Sequence, residues 1–237
     1  MTTANTVPGS ILVTGASKGI GLAIAKRFRE EGFETVVCAR NAEGLEAARA
    51  AVPGLHALEC DMTRPDEVAR LVARVGELVG VPDVLVNNAG AFIPGQIHSE
   101  QDGALEQMLL ANLFSAYRIT RALLPGMMAR GSGTIINIGS TASITAYPDG
   151  GSYCIAKHAL HGFSRTLREE MKPHGIRVVS LLPGATLTAS WAGTDLPDER
   201  FMPAGDVAEM AWAAHRMSPR TVVEDILMRP LLGDIGS

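Results

Sequence analysis

A chain of 237 residues with 46% hydrophobic and 19% charged side chains can build one large α/β core or two small ones, and it is too apolar to be disordered. The net charge of −4 excludes the basic excess of a nucleic-acid binder. Aromatic residues are only 5%, so the core must rest on Ala, Val, Ile and Leu, the filling of a parallel sheet under close-packed helices.

Apolar runs bounded by turn residues predict strands at 10–14, 35–38, 55–60, 84–87, 133–138, 177–182 and 225–228. Amphipathic stretches between them predict helices at 19–31, 42–51, 65–79, 100–130, 152–172 and 205–217. The alternation implies right-handed βαβ crossovers and one doubly wound parallel sheet. That is a Rossmann-type α/β domain over residues 1–237, with about seven strands and helices on both faces. Residues 185–204, mixed in Pro, Gly, Ser and Asp, are expected to form a mobile substrate lid.

No window reaches the roughly 18 apolar residues of a membrane span. The opening MTTANTVPGS has neither a basic nor an apolar leader region, so a cytoplasmic chain is expected. Cys38, Cys60 and Cys154 form no CxxC and read as reduced, buried thiols. Of the histidines only His158 and His161 share a helix face, with nothing to complete a ligand set, so no metal site is expected.

The first strand runs into Thr14-Gly15-Ala16-Ser17-Lys18-Gly19-Ile20-Gly21. Glycines in such a turn let backbone amides approach a pyrophosphate, and the helix that follows adds its positive end. The spacing is G-x3-G-x-G rather than the commoner G-x-G-x-x-G, and a merely tight turn would need glycines too. At the end of the second strand a carboxylate would take the ribose 2′-hydroxyl of NAD; here stands Ala39, followed by Arg40. Arg40 and Lys18 suit a 2′-phosphate, so NADP(H) is the expected cofactor; the bland alternative is two solvated cations. Asp61, after the third strand, could cap the next helix or accept from an adenine amine. Asn87-Asn88-Ala89-Gly90 places small polar residues where the fourth strand meets the crevice.

Ser140 closes the fifth strand, and Tyr153 and Lys157 stand at i and i+4 on the next helix, sharing a face. A phenol titrating near 10 is a poor base at neutral pH. An ammonium about 4 Å away would lower it by up to about 3 units before desolvation opposes the shift. The set then suits acid–base catalysis: Ser140 holds a carbonyl oxygen and Tyr153 donates the proton to the developing alkoxide.

These motifs together resemble the short-chain dehydrogenase/reductase family in its single-domain branch, and in particular its 3-oxoacyl-[acyl-carrier-protein] reductase-like members. The resemblance spans nearly the whole chain: TGASKGIG at 14–21, Asp61, NNAG at 87–90, Asn112, Ser140, YCIAK at 153–157 and PGATLT at 183–188. It implies catalytic roles for Asn112, Ser140, Tyr153 and Lys157, with Asn112 holding a proton-relay water and Lys157 the nicotinamide ribose. It implies cofactor contacts from Gly15, Ser17, Lys18, Gly19, Ile20, Gly21, Arg40, Asp61, Met62, Asn88 and Gly90. Tyr153, Lys157, Pro183, Gly184, Thr186 and Thr188 would face the nicotinamide end. It also implies a homotetramer or homodimer built on the two long helices, where Ala111, Leu113, Phe114, Ala159, Leu160 and Phe163 supply apolar surface.

Substrate contacts are then expected from 91–98, 141–151 and 185–203, whose Phe92, Ile93, Ile97, Ile144, Tyr147, Trp191, Phe201 and Met202 make an apolar pocket. A carrier-protein substrate would need a basic docking patch, and only Arg130, Lys172 and Arg200 are candidates. The expected reaction is interconversion of a small-molecule ketone and a secondary alcohol, with a 3-oxoacyl thioester as the second reading. A non-catalytic NADP-binding regulator is the alternative from another class, but it has no use for Ser, Tyr and Lys in register.

Overall fold

The computed structural model describes residues 9–235. Seven parallel strands form one sheet: β1 (Ser10–Thr14), β2 (Glu34–Ala39), β3 (His56–Glu59), β4 (Val84–Asn87), β5 (Gly133–Ile138), β6 (Ile176–Pro183) and β7 (Asp225–Met228). Their order is β3-β2-β1-β4-β5-β6-β7. The connecting helices are α1 (Gly19–Glu30), α2 (Ala42–Ala51), α3 (Pro65–Val79), α4 (Ala104–Leu109), α5 (Ser115–Arg130), α6 (Gly151–Met171) and α7 (Ala204–His215).

The strands are apolar on both faces because both faces are covered. In β1, Ile11 and Val13 join the layer that holds Ile24 and Phe28 of α1 and Val207 and Ala211 of α7. Leu12 between them points the other way, to Leu71 of α3, Ile119 of α5 and Leu167 of α6. All three β1 side chains are fully buried, each contributing roughly 1.5–3 kcal/mol. Among the described residues no helix is long and apolar enough to cross a membrane.

β1, β4, β5 and β7 have the bounds that the apolar runs predict, and the other strands differ by one residue at each end. The stretch 100–130 is not one helix. Gly103 sits in the left-handed region at φ 86 and delays the start to Ala104, and a π-helical turn, Leu110–Phe114, separates α4 from α5. Leu160 is a second correction: it is 2% exposed within its own chain's core, so it offers nothing to a neighbouring subunit. Phe114, at the end of the π-helical turn, and Tyr117, in the first turn of α5, do stay exposed.

The strand order reverses between β1 and β4, so their connections leave in opposite directions and open a crevice at the carboxyl edge. The segments after β1, β2, β3, β4, β5 and β6, which carry the motifs named above other than Asn112, begin at that edge.

Candidate active site

The turn after β1 is shaped by its neighbours. Gly15 and Gly19 have φ 65 and 60, where a side chain is strained, and a Cβ on Gly15 would lie 2.7 Å from Ala89 Cα. A Cβ on Gly21 would overlap Asn88 Nδ2 and reach within 2.9 Å of Ala16 Cα. Lys18 precedes α1 in extended conformation without a side-chain cap, and the first turn has no acidic residue. The amides at this helix end are therefore free for an anion, which fits a dinucleotide pyrophosphate. Ile20 packs on the core, and Ser17 backs against Gly44 at the start of α2.

Arg40 and Lys18 are exposed at the ends of neighbouring elements, and Ala39 is buried. Asp61 does not cap α3. Its Oδ1 accepts from Thr63 N and Oγ1 at 2.9 and 2.8 Å, while Arg64, three residues on, occupies the cap position before Pro65. Burial opposes the Asp61 charge, but the two Thr63 hydrogen bonds and the nearby Arg40 and Arg64 outweigh it and hold the carboxyl below its usual range. The Met62 side chain is buried, with Sδ 3.7 Å from both Cys38 Sγ and Cys60 Sγ, which leaves its backbone for the expected cofactor contact.

Asn112 lies on the π-helical turn, a local widening that often aims a side chain. Its Nδ2 donates to Ala91 O at 2.9 Å and Met108 O at 3.0 Å. Its Oδ1 is buried without a hydrogen-bond partner. A Cβ on Gly90 would stand 2.6 Å from that oxygen and 3.7 Å from Lys157 Nζ, so the two polar atoms flank the same small gap. An orphaned acceptor beside a buried ammonium is where a bridging water fits.

Ser140 follows β5 in extended conformation; its Oγ accepts from Ala142 N at 3.1 Å and keeps its own proton to donate. Tyr153 is raised above its ordinary range by burial, and a hydrogen bond with Ser140 draws it partly back. Lys157 does not depress it here. The ammonium is 5.7 Å from the Tyr153 ring centre and donates instead to Ile138 O at 3.0 Å. Burial lowers Lys157 itself from 10.5 to about 8.

Phe92 stands edge-on to Tyr153 with ring centres 4.9 Å apart, and it, Ile93, Ile97, Ile144 and Tyr147 are exposed around the mouth. Phe201 and Met202, expected in the pocket wall, are buried instead. They anchor the 185–204 segment: Leu187 N donates to Met202 O, Met202 N to Ala185 O, and Trp191 packs on Phe201. Thr186 is likewise turned inward, donating to Gly184 O, while Gly184 N donates to Met228 O beyond Pro183. The Thr188 methyl covers Gly19, where a Cβ would lie 3.2 Å away, joining this segment to the glycine turn. Two short 3₁₀ turns, Ala189–Trp191 and Asp198–Arg200, occupy the rest.

Two positioning groups, Thr14 and Asn137, are given no role by the sequence pattern. Thr14 Oγ1 accepts from Asn88 N and Ala89 N, each at 3.1 Å. Asn137 accepts from Asn87 Nδ2 at 2.7 Å and donates to Ser164 Oγ at 2.8 Å, tying β4, β5 and α6 together beneath the site. The available signal is a polar residue at or near the carboxyl end of each strand, Thr14 in β1 and Asn137 in β5. Among the described residues, Cys38, Cys60 and Cys154 are free and buried, and no three His, Cys, Asp or Glu residues converge.

The family model for short chain dehydrogenases matches residues 10–197. A protein of Streptomyces coelicolor named "Putative ketoacyl reductase" is 38% identical over 179 residues, covering 73% of this chain and 69% of that one. A variant of the actinorhodin polyketide ketoreductase, solved with NADPH, superposes with a TM-score of 0.86 at 32% identity, covering 96% of this chain and 98% of that one. An alcohol dehydrogenase from Thermococcus sibiricus, solved with 5-hydroxy-NADP, gives 0.87 at 25% identity, with 98% and 100% covered. This chain belongs to the short-chain dehydrogenase family and is an oxidoreductase of that family.

Proposed function

We propose that this protein reduces a ketone to a secondary alcohol, and catalyses the reverse, with NADP(H). The observation that carries the reading is the convergence of Ser140, the half-buried Tyr153, Lys157 and the orphaned Asn112 Oδ1 at the sheet's carboxyl edge. When bound, the nicotinamide supplies the hydride. Ser140 donates a hydrogen bond to the carbonyl oxygen, and Tyr153 gives its phenolic proton to the alkoxide as it forms. Lys157 and Asn112, through a water between them, return a proton to Tyr153. Raised by burial, the phenol is held protonated and ready to donate.

Arg40 with Ala39 supports NADP(H) over NAD(H), and both solved relatives described above carry an NADP-type cofactor. The exposed Phe92, Ile93, Ile97 and Ile144 support a substrate with an apolar body. A 3-oxoacyl thioester is the second reading, favoured by the names of two relatives. Against a carrier-bound substrate, the three candidate cations are engaged: Arg200 points to Gly233 O and Asp234 O, Lys172 pairs with Glu169, and Arg130 holds Val81 O and Pro82 O at the opposite sheet edge.

Turnover on aryl and alkyl ketones, and on an acetoacetyl thioester of a pantetheine analogue, tests the reading with NADPH consumption as readout. The proposal predicts consumption with ketones. NADPH binding without consumption on either substrate class would favour the non-catalytic alternative. The exposed Phe114 and Tyr117 at the start of α5 support a homo-oligomer, which sedimentation of the purified protein tests.

A further inference from the structure

Helix α6 carries Tyr153 and Lys157, yet it has no cap of its own. Gly150 precedes it without a side-chain hydrogen bond, and its first turn contains no acidic residue. The cap comes from another loop. Glu100, in the segment after β4, accepts from Ser152 N on Oε1 at 2.8 Å and from Ser152 Oγ on Oε2. Ser152 is 2% exposed and directly precedes Tyr153. A carboxylate at a helix N-terminus satisfies free amides and meets the positive end of the helix.

The join is more than one side chain. Gly95 and Gly150 form a parallel bridge, Gly95 N donates to Asp149 O at 2.9 Å, and Gln96 Nε2 donates to Asp149 Oδ1 at 2.7 Å. Asp149 is held at φ 61, the one non-glycine residue with positive φ among the described residues. A Cβ on Gly151 would overlap Glu100 Oε1 and stand 2.6 Å from Gly95 O, so the contact requires glycine there. Glu100 N in turn donates to Gln96 O at 2.9 Å, closing the loop on itself.

We propose that Glu100 is a positioning residue: its carboxylate clamps the loop bearing Phe92, Ile93 and Ile97 onto the start of α6 and so fixes Tyr153 relative to the substrate. The Glu100–Ser152 pair is one contact in this join; the Gly95–Gly150 bridge, the Gln96–Asp149 hydrogen bond and the Phe92–Tyr153 ring contact complete it. This inference rests on the acid–base role of Tyr153 proposed above. Burial does not hold Glu100; its two hydrogen bonds from Ser152 do, and they lower its carboxyl below the usual range.

The test compares wild type, Glu100→Ala, Glu100→Gln and Ser152→Ala by ketone turnover, by NADPH affinity from fluorescence, and by hydrogen exchange of peptides covering 149–156. Displacing a catalytic group by about 1 Å costs up to about a hundredfold, so Glu100→Ala should lower kcat by about tenfold or more, with NADPH affinity within about twofold. Exchange over 151–156 should speed up. Glu100→Gln, which keeps an acceptor for Ser152 N, should recover most of kcat, and Ser152→Ala should fall between. Unchanged exchange in Glu100→Ala would overturn the clamp. Faster exchange with undiminished kcat would overturn its bearing on Tyr153. A wild type that turns over no carbonyl would instead remove the proposed reaction, and exchange over 151–156 would then decide the clamp by itself.

Discussion

Asn88 is bound to Gly15: its Nδ2 donates to the Gly15 carbonyl and to that of Thr14, each at 2.9 Å. The loop after β4 is thereby sewn to the turn after β1 across the switch point. Gly21 matters to the same seam, because a Cβ there would occupy the place of the Asn88 amide.

Gly21→Ala should therefore damage cofactor binding before it damages folding. Forcing a methyl into this packed turn costs roughly 1–3 kcal/mol, and displacing Asn88 tilts the amides meant for the pyrophosphate. NADPH affinity should fall at least about tenfold while far-UV circular dichroism stays native. Titration of the variant by NADPH fluorescence checks this.

Arg40 should set cofactor choice. A charge-assisted contact to a 2′-phosphate is worth roughly 1.5–3 kcal/mol, so Arg40→Ala should weaken NADPH about ten- to a hundredfold in KM with kcat little changed. Ala39→Asp should go further, repelling the phosphate and accepting from the ribose hydroxyls of NAD. Comparing kcat/KM for NADPH and NADH in the three proteins reads both effects; equal use of the two cofactors by wild type would contradict the assignment.

Phe92 lies against the Tyr153 ring and should limit the group that sits beside the carbonyl. Phe92→Ala should raise kcat/KM for bulky ketones relative to small ones by about tenfold or more, since a single methylene in an apolar pocket is worth at least about tenfold. A paired assay with a small and a branched aryl ketone measures that ratio.

His215 should make the fold acid-sensitive at the opposite edge of the sheet. Burial, aided by the charge of Arg177 and opposed by Asp83, lowers it from 6.5 to about 4. The unfolded chain then binds a proton that the folded chain refuses, so stability is full above pH 6.5 and is lost as pH falls towards 4. The loss is on the order of 3 kcal/mol at one unit per 1.36 kcal/mol. Thermal melts at pH 7 and pH 4.5 should show a smaller drop in Tm for His215→Gln than for wild type.

The sheet was legible because burial on both faces writes each strand as an apolar run, and the glycine turn and Ser–Tyr–Lys spacing followed from local geometry. What could not be read depends on distant contacts. Nothing local marks Glu100 as the cap of α6, 52 residues away. Gly103 and the π-helical turn interrupt a pattern whose apolar periodicity runs straight through them. Phe201 and Met202 are apolar whether they line a pocket or anchor a loop, and only tertiary packing decides. The Tyr153 phenol goes the other way from expectation because its own burial raises it, while Lys157 turns to Ile138 O.

The most direct test of the central claim is single-turnover reduction of an aryl ketone by NADPH in Tyr153→Phe. The ring still packs on Phe92, and only the proton donor is lost. Deleting a general acid should slow hydride transfer by about 10²–10⁴-fold while NADPH affinity stays within about twofold of wild type. A variant that keeps more than about a tenth of the wild-type rate would show that the proton comes from another group and would contradict the role given to Tyr153.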